Sequence, residues 1–384
     1  MAAVMVMGLQ WGDEGKGRVV DTIAEHCQSV IRFNGGPNAG HTIPLDEGKR
    51  GAVHQLPSGA YQPHTRLYMG GGMVVDLEKL IREIMETGVH TKRLFIDPTC
   101  HVVCPCHITE DGAAENDRGD QAIGTTKTGN GPAYSDKYGR YGIRLSDLML
   151  HRDEAVKRLI SSRASRIFEG LFTWADRTYQ LADEAGIFSR LGDVPRILND
   201  SYRSGDNLLF ECAHGALLDI DHGAYPFVTS SSCGVGGLYS GAGFDPRRLA
   251  SVVGVMKPYS TRIGAGPFVP EFDAELGKEI REKGGEYGVT TGRPRRIGIL
   301  DLSQIKRVCY MNGVDVLAVT HWDIAEMIDE VPYIDVDGQS QTAKWFTLMD
   351  VIERSLNIPI KYMSDAPHKG GMQVLWGEDD VWGL

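Results

Sequence analysis

The feature that most constrains this chain is its opening. An unbroken apolar run, Ala3-Val-Met-Val-Met-Gly8, leads at once into a glycine-rich turn, Gln10-Trp-Gly-Asp-Glu-Gly-Lys-Gly17. Arg18-Val-Val-Asp-Thr-Ile-Ala-Glu-His26 follows, with apolar residues at helical spacing. An apolar run without alternation reads as a strand covered on both faces, and strand, glycine turn and helix together form the first half of an α/β unit. A second strand, Ser29-Val-Ile-Arg-Phe33, ends in a comparable loop, Asn34-Gly-Gly-Pro-Asn-Ala-Gly-His-Thr42, whose glycines let backbone approach a ligand closely.

The rest of the chain repeats the alternation. Strands are expected near 93–97, 207–211 and 314–320, and helices over 75–85, 153–185, 247–256, 273–283, 303–311 and 342–356. The 47 glycines are spread through short turns rather than gathered in a linker. The expected fold class is therefore α/β: a single large domain spanning 1–384, with a central, mostly parallel sheet flanked by helices, a P-loop-like phosphate loop and long functional loops. Such sheets bind ligands at the carboxyl ends of their strands.

Composition narrows the function. With 42% hydrophobic residues the 384-residue chain can bury a full core, so disorder is excluded. Forty Lys and Arg against 51 Asp and Glu give a net charge of −11, which argues against a nucleic-acid partner. No apolar run approaches the roughly 20 residues that span a bilayer, so no membrane partner is expected, and a cytoplasmic location is (the host cytoplasm, if the source is viral). Seven cysteines are an odd number in irregular spacing, unlike a secreted disulfide framework. Cys100-His-Val-Val-Cys-Pro-Cys-His107 could be weighed as a zinc site, but it lacks paired CxxC spacing and reads as thiols on a second short strand.

The chemistry lies in the loops. Gln10 to Gly17 resembles a phosphate loop without matching GxxxxGK[ST], since Gln10 replaces the first glycine and Gly17 the hydroxyl residue. What remains is a turn of backbone N–H groups and Lys16 at a helix N-terminus, a cradle for phosphate oxygens. A carboxylate at position 13 is costly there unless it binds Mg²⁺ or takes a proton. Against this stands the plainer reading that Asp13 and Glu14 cap the helix. His41 means little alone, yet beside Asp13 it could complete an acid–base pair across one substrate.

Together, Gln10–Gly17, Asn38-Ala-Gly-His-Thr42, Gly124-Thr-Thr126, Gly131-Pro-Ala-Tyr134, Asp219-Ile-Asp-His-Gly223, Thr229-Ser-Ser231, Ser260-Thr-Arg262, Gly264-Ala-Gly-Pro-Phe268 and Thr290-Thr-Gly-Arg-Pro-Arg-Arg296 closely resemble the adenylosuccinate synthetase family. The resemblance implies a C–N bond-forming ligase of purine biosynthesis. The γ-phosphate of GTP moves to O6 of IMP, and the amino group of L-aspartate then displaces it at C6. It implies Asp13 as base, with Mg²⁺ held by Asp13 and the Gly40 carbonyl, and His41 on the transferring phosphate, with Lys16 and His214 also in the catalytic centre. GTP would lie along Gly12, Gly15, Lys16, Gly17, Gly40, His41 and Thr42, its guanine read by Asp323, Ser364 and Ala366, with Pro367 completing that pocket. The substrate nucleotide would meet Asn38, Thr126, Thr229, His214 and Arg293, and an Arg140 lent by the neighbouring subunit of a homodimer. L-aspartate would meet Thr290, Thr291, Arg293 and Arg295.

Two positions depart from the family pattern. His214 stands where the family has Gln, bringing a charge that could depend on pH, and His321 replaces a lysine before Asp323. Pro37-Asn-Ala-Gly-His41 also resembles a phage branch, the 2-aminoadenylosuccinate synthetases, which use dGMP in place of IMP, and His214 and the short length leave room for a purine carrying a 2-amino group. Retention of Asp13 favours IMP. A GTP-binding regulator without ligase activity is a third reading, against which the arginine-rich block at 290–296 counts.

Overall fold

The opening run forms β1 (Ala3–Gly8), whose every residue is buried. Its side chains alternate between two cores. Val4 and Val6 join Val19, Val20 and Ile23 on one face of the sheet, while Ala3, Met5 and Met7 join Phe210, Phe244 and Leu302 on the other. A strand apolar on both faces must be covered by helices on both faces, and that fixes the layer order. The computed structural model describes residues 2–119, 122–162, 170–289, 292–375 and 382.

Around β1 the sheet contains β2 (Ser29–Arg32), β3 (Arg66–Met69), β4 (Leu94–Ile96), β5 (Leu208–Gly215), β6 (Ser251–Met256), β7 (Val316–Val319), β8 (Ile360–Ser364) and β9 (Met372–Val374). The nine strands run in the order β9-β8-β7-β6-β1-β5-β2-β3-β4. All neighbours pair in parallel except β8 and β9, which place one antiparallel strand at an edge. Helix α1 (Lys16–Ala24) covers the first core, with Val19, Val20, Ile23 and Ala24 buried. Helices Leu302–Asn312 and Trp345–Leu356 cover the second.

Several boundaries differ from expectation. The segment expected to be helical at 247–256 is a short 3-10 turn followed by β6, beside β1 at the sheet centre. Its Ser-Val-Val-Gly-Val-Met sequence is continuous and β-branched, and valines suit a pleated surface better than a helix. The expected helix at 153–185 is Arg152–Ser161 and Leu171–Glu184, and its middle lies partly outside the described residues. Residues 342–344 belong to a strand, Ser340–Lys344, and the strand near 207–211 runs on to Gly215 and so carries His214. The cysteines of the 100–107 cluster are not on a strand: Cys100 precedes the short strand His101–Val102, Cys104 is the N-cap of helix Pro105–Asp117 and Cys106 lies inside it.

Among the described residues no helix is long and apolar enough to cross a membrane.

Candidate active site

Parallel strands aim their carboxyl ends the same way, so the loops after β1, β2, β5, β6, β7 and β8 meet at one rim. A cleft of about 1090 Å³ opens there. It is lined by Gly12, Asp13, Gly15, Lys16, Gly17, Asn38, Gly40, His41, Thr42, Thr126, His214, Thr229, Arg293, Arg295, Asp323, Ser364, Ala366 and Pro367. These are the expected site residues with three exceptions. Arg140 is exposed and outside the lining. Thr290 and Thr291 lie outside the described residues.

The cradle is built by Glu14 rather than capped by it. Its carboxylate is fully buried and accepts from Gly12 N at 2.8 Å, Gln10 N at 3.1 Å and Lys16 Nζ at 2.5 Å. Helix α1 therefore begins at Gly15, in the left-handed region at φ 81°, with neither a side-chain cap nor an acidic residue in its first turn. Its first N–H groups are left for an anionic ligand. Gly17 occupies the place of the usual hydroxyl residue because a Cβ there would lie 2.9 Å from His41 Cβ and 3.2 Å from Ser58 Oγ. The exchange seats the histidine loop against the cradle.

Asp13 is the cleft-facing member of the pair. Its backbone sits at φ 61°, a conformation costly for a residue with a side chain, and its carboxylate Oδ2 lies 2.9 Å from Arg295 Nε. The plainer reading of Asp13 and Glu14 as helix caps is thereby replaced: one pins the loop and the other faces the cleft. Arg295 in turn pairs with the buried Glu286. His41 is held at Nδ1 by Glu211 and by Ser58 Oγ at 3.2 Å, so Nε2 is the ring nitrogen left to meet a ligand. Burial pushes His41 below its ordinary pKa against the pull of Glu211. Burial would raise Glu211, but His41, Arg32 and Ser58 outweigh it and hold it below the usual carboxylate range.

His214 also has a left-handed backbone, φ 63°, and its buried Nδ1 finds no hydrogen-bond partner among the described residues. Burial, with Arg32, Lys16 and His41 nearby, pushes its pKa down to about 3. The ring is therefore neutral at physiological pH, and the expected pH-dependent charge does not arise in that range. His321 is brought to about 4, again by burial first.

At the other end, Asp323 lies in the first turn of helix Trp322–Ile328, and burial raises its pKa. Arg18 reaches from α1 to the carbonyls of Ala366 and of His368, the latter at 2.5 Å, closing the loop after β8 over this end. Thr320 Oγ1 donates to the Glu14 carbonyl at 2.7 Å, joining the two ends. Opposite them, Thr126 Oγ1 lies 2.8 Å from Thr128 Oγ1, Asn130 Nδ2 donates to Asn38 Oδ1 at 2.7 Å, and Arg293 Nη2 donates to the Gly124 carbonyl at 2.9 Å.

Sequence reading missed Arg18, Glu211, Glu286 and Thr320. Glu211 alone left a trace, a charge closing the apolar strand Leu-Leu-Phe-Glu. The cysteine cluster needs a separate word, because Cys104, Cys106 and His107 bring their ligand atoms within 4.8 Å of one another. His107 Nδ1 accepts from Cys104 N at 2.9 Å, so Nε2 carries the proton and donates to Asp136 at 2.8 Å. Neither ring nitrogen has a lone pair to give a metal.

A glycine turn with Lys16 at a helix start, and Asp13, His41 and Asp323 on the lining of the same cleft, are the arrangement of an α/β enzyme with its site at the carboxyl ends of the strands. The family model described as adenylosuccinate synthetase matches residues 5–336. An adenylosuccinate synthetase of Nitrosospira multiformis is 43% identical over 91% of this chain and 83% of its own length. That of Symbiobacterium thermophilum is 45% identical over 84% and 77%. The fully ligated adenylosuccinate synthetase of Plasmodium falciparum superposes with a TM-score of 0.90 at 31% identity, covering 97% of this chain and all of that one. A cyanophage S-2L succinoaminodeoxyadenylate synthetase, solved with dGMP and dATP, shares the fold at a TM-score of 0.70 and 23% identity, with 97% and 95% covered. The chain belongs to the adenylosuccinate synthetase family and is a ligase that forms a carbon–nitrogen bond.

Proposed function

We propose that this chain transfers the γ-phosphate of GTP to O6 of IMP and then joins L-aspartate at C6, giving adenylosuccinate, GDP and phosphate. The observation that supports this reading most is the meeting of Asp13, Lys16, His41 and Asp323 around one cleft. A lactam oxygen departs poorly until N1 has lost its proton and O6 carries a phosphoryl group, so one carboxylate near both the purine and the phosphates has two tasks to link. Asp13 takes the N1 proton. His41, through Nε2, meets the transferring phosphate, while Lys16 and the α1 N–H groups hold the triphosphate.

Asn38, Thr126 and Thr229 take the substrate 5′-phosphate, with Arg140 arriving from the second subunit of a homodimer. Thr290, Thr291, Arg293 and Arg295 take aspartate. Arg295 commits Nη1 to Glu286 and stands with Nε 2.9 Å from Asp13 Oδ2 without hydrogen-bond alignment, so Nη2 is the nitrogen with neither contact. Asp323 accepts from N1–H and the 2-amino group of guanine, where adenine would offer a lone pair, and this favours GTP over ATP.

Magnesium fits these residues. The Asp13 carboxylate and the Gly40 carbonyl are hard oxygen donors on two loops of the same cleft, and Mg²⁺ takes few protein ligands alongside phosphate oxygens and water. When bound, it would neutralise charge on the phosphates. We place the enzyme in the cytoplasm.

One assay decides the substrates: IMP, GMP and dGMP side by side with aspartate and either GTP or ATP, read by product mass and phosphate release. Adenylosuccinate from IMP and GTP, with phosphate release requiring both IMP and aspartate, is the expected result. A product from dGMP alone would move the chain to the phage activity, and GTP hydrolysis without either co-substrate would support a regulator.

A further inference from the structure

Glu286 is fully buried, follows the helix Ala274–Gly284, and stands outside the set of groups assigned above to any ligand. Its carboxylate accepts from Lys257 Nζ at 2.8 Å, Tyr259 OH at 2.5 Å and Arg295 Nη1. Arg295 is only 7% exposed, and its Nε lies 2.9 Å from Asp13 Oδ2, an ion-pair contact without hydrogen-bond alignment. Two anions and two cations thus form a line that starts inside the protein and ends on the carboxylate in the cleft. The same frame holds both ends of this line. Gln10, at the start of the cradle, accepts from Lys257 N and donates to the Tyr259 carbonyl, each at 2.9 Å. The arginine backbone is held too, with Arg295 N donating to the Glu286 carbonyl at 3.0 Å and Arg281 Nε to the Arg295 carbonyl at 3.0 Å.

Stability is a poor reason for such a cluster, because buried ion pairs seldom outperform apolar side chains of similar size. Position is a better one. An arginine at the edge of a polyphosphate site, free at both ends, would swing toward the incoming anion and leave Asp13. Fixing Nη1 inside the protein keeps Nε where Asp13 needs it.

We propose that Glu286 is a positioning residue of the ligase reaction: it anchors Arg295, and Arg295 sets where Asp13 stands. This rests on the reading of Asp13 as the group that acts on the purine. Neither Glu286 nor its two inner partners touch substrate, so their effect should appear in turnover and, through Arg295, in KM for aspartate, rather than in binding of GTP.

The test is a double-mutant cycle of Glu286→Gln and Arg295→Ala in the full-length protein, with Asp13→Asn alongside and thermal melts for every variant. Glu286→Gln is expected to lower kcat by about a hundredfold, the size of an ångström-scale misplacement, while KM for GTP stays within about threefold. In the Arg295→Ala background the same change should cost less than about threefold. A Glu286→Gln enzyme with near-normal kcat beside an inactive Asp13→Asn enzyme would overturn this inference and leave the reading of Asp13 standing. So would an undiminished Glu286 effect in the Arg295→Ala background. A fully active Asp13→Asn enzyme would instead remove that reading itself. Should Glu286→Gln fail to fold, Tyr259→Phe takes its place, since it deletes one anchor and keeps the charge. The expected loss in kcat is then about three- to tenfold, and an unchanged kcat overturns the proposal.

Discussion

Asp13 and Glu14 are neighbours of the same charge with opposite tasks. Glu14 turns inward and supplies acceptors for two backbone N–H groups and Lys16, so the loop keeps its shape without a ligand. Asp13 turns outward into the cleft, its backbone held in a left-handed conformation by that shape. Glu14→Ala should therefore strand a buried ammonium and two N–H groups, costing about 2–4 kcal/mol in a denaturant melt, with loss of GTP binding. Asp13→Asn should leave the melt almost unchanged. A Glu14→Ala protein as stable as the parent would show that the loop is shaped by something else. Asp13, Lys16 and His41 were legible in the sequence because each is anomalous for its surroundings: an acid in an anion cradle, a lysine before a missing hydroxyl, an imidazole closing a glycine loop. Glu14, Glu211 and Glu286 were not, since what makes them matter is a partner 170 residues away in one case, as with His41 and Glu211, and burial in all of them.

At the scale of elements, helix α1 shows how a single segment serves core and site together. Its first turn lines the cleft, and its later residues pack under β1. Between these, Asp21 is buried, and among the described residues Gln62 Nε2 is its side-chain donor, at 2.9 Å. Burial raises its pKa to about 6, against the lowering effect of that hydrogen bond. The folded state thus holds this proton more tightly than the unfolded state does. The associated stability is fully present below about pH 4 and is lost as pH rises through about 6. Asp21→Asn keeps the acceptor and removes the charge. It should raise stability by about 1–2 kcal/mol at pH 8, with the gain vanishing near pH 4 in paired thermal melts. A gain independent of pH would mean that Asp21 is not the titrating group. The elements themselves were readable where apolar periodicity was clear, as in α1 and Leu302–Asn312, and at β1, where an unbroken apolar run ends in a glycine turn. The failure at β6 has a definite cause: a strand covered on both faces loses its alternation, and then only β-branching distinguishes it from a buried helix.

For the whole molecule, the order of strands gathers loops from positions as far apart as Gly12 and Ser364 around one cleft. Arg140 is the assigned residue that this folding leaves on the outside. If it serves the neighbouring active site, Arg140→Ala and Asp13→Asn subunits are each inactive alone, yet a mixture regains activity. Random reassortment of a twofold dimer yields half mixed dimers with one intact site in two, so about a quarter of parental activity should return. A mixture that stays inactive, or a chain sedimenting as a monomer under assay conditions, would place Arg140 elsewhere.

The proposed reaction sends O6 of the purine out as phosphate, after phosphorylation made possible by Asp13. It can be measured directly by supplying IMP labelled with ¹⁸O at O6, with unlabelled GTP, aspartate and water, and weighing the inorganic phosphate released. One ¹⁸O atom is expected in each phosphate released for each adenylosuccinate formed. Unlabelled phosphate, with the label lost to water, would contradict it.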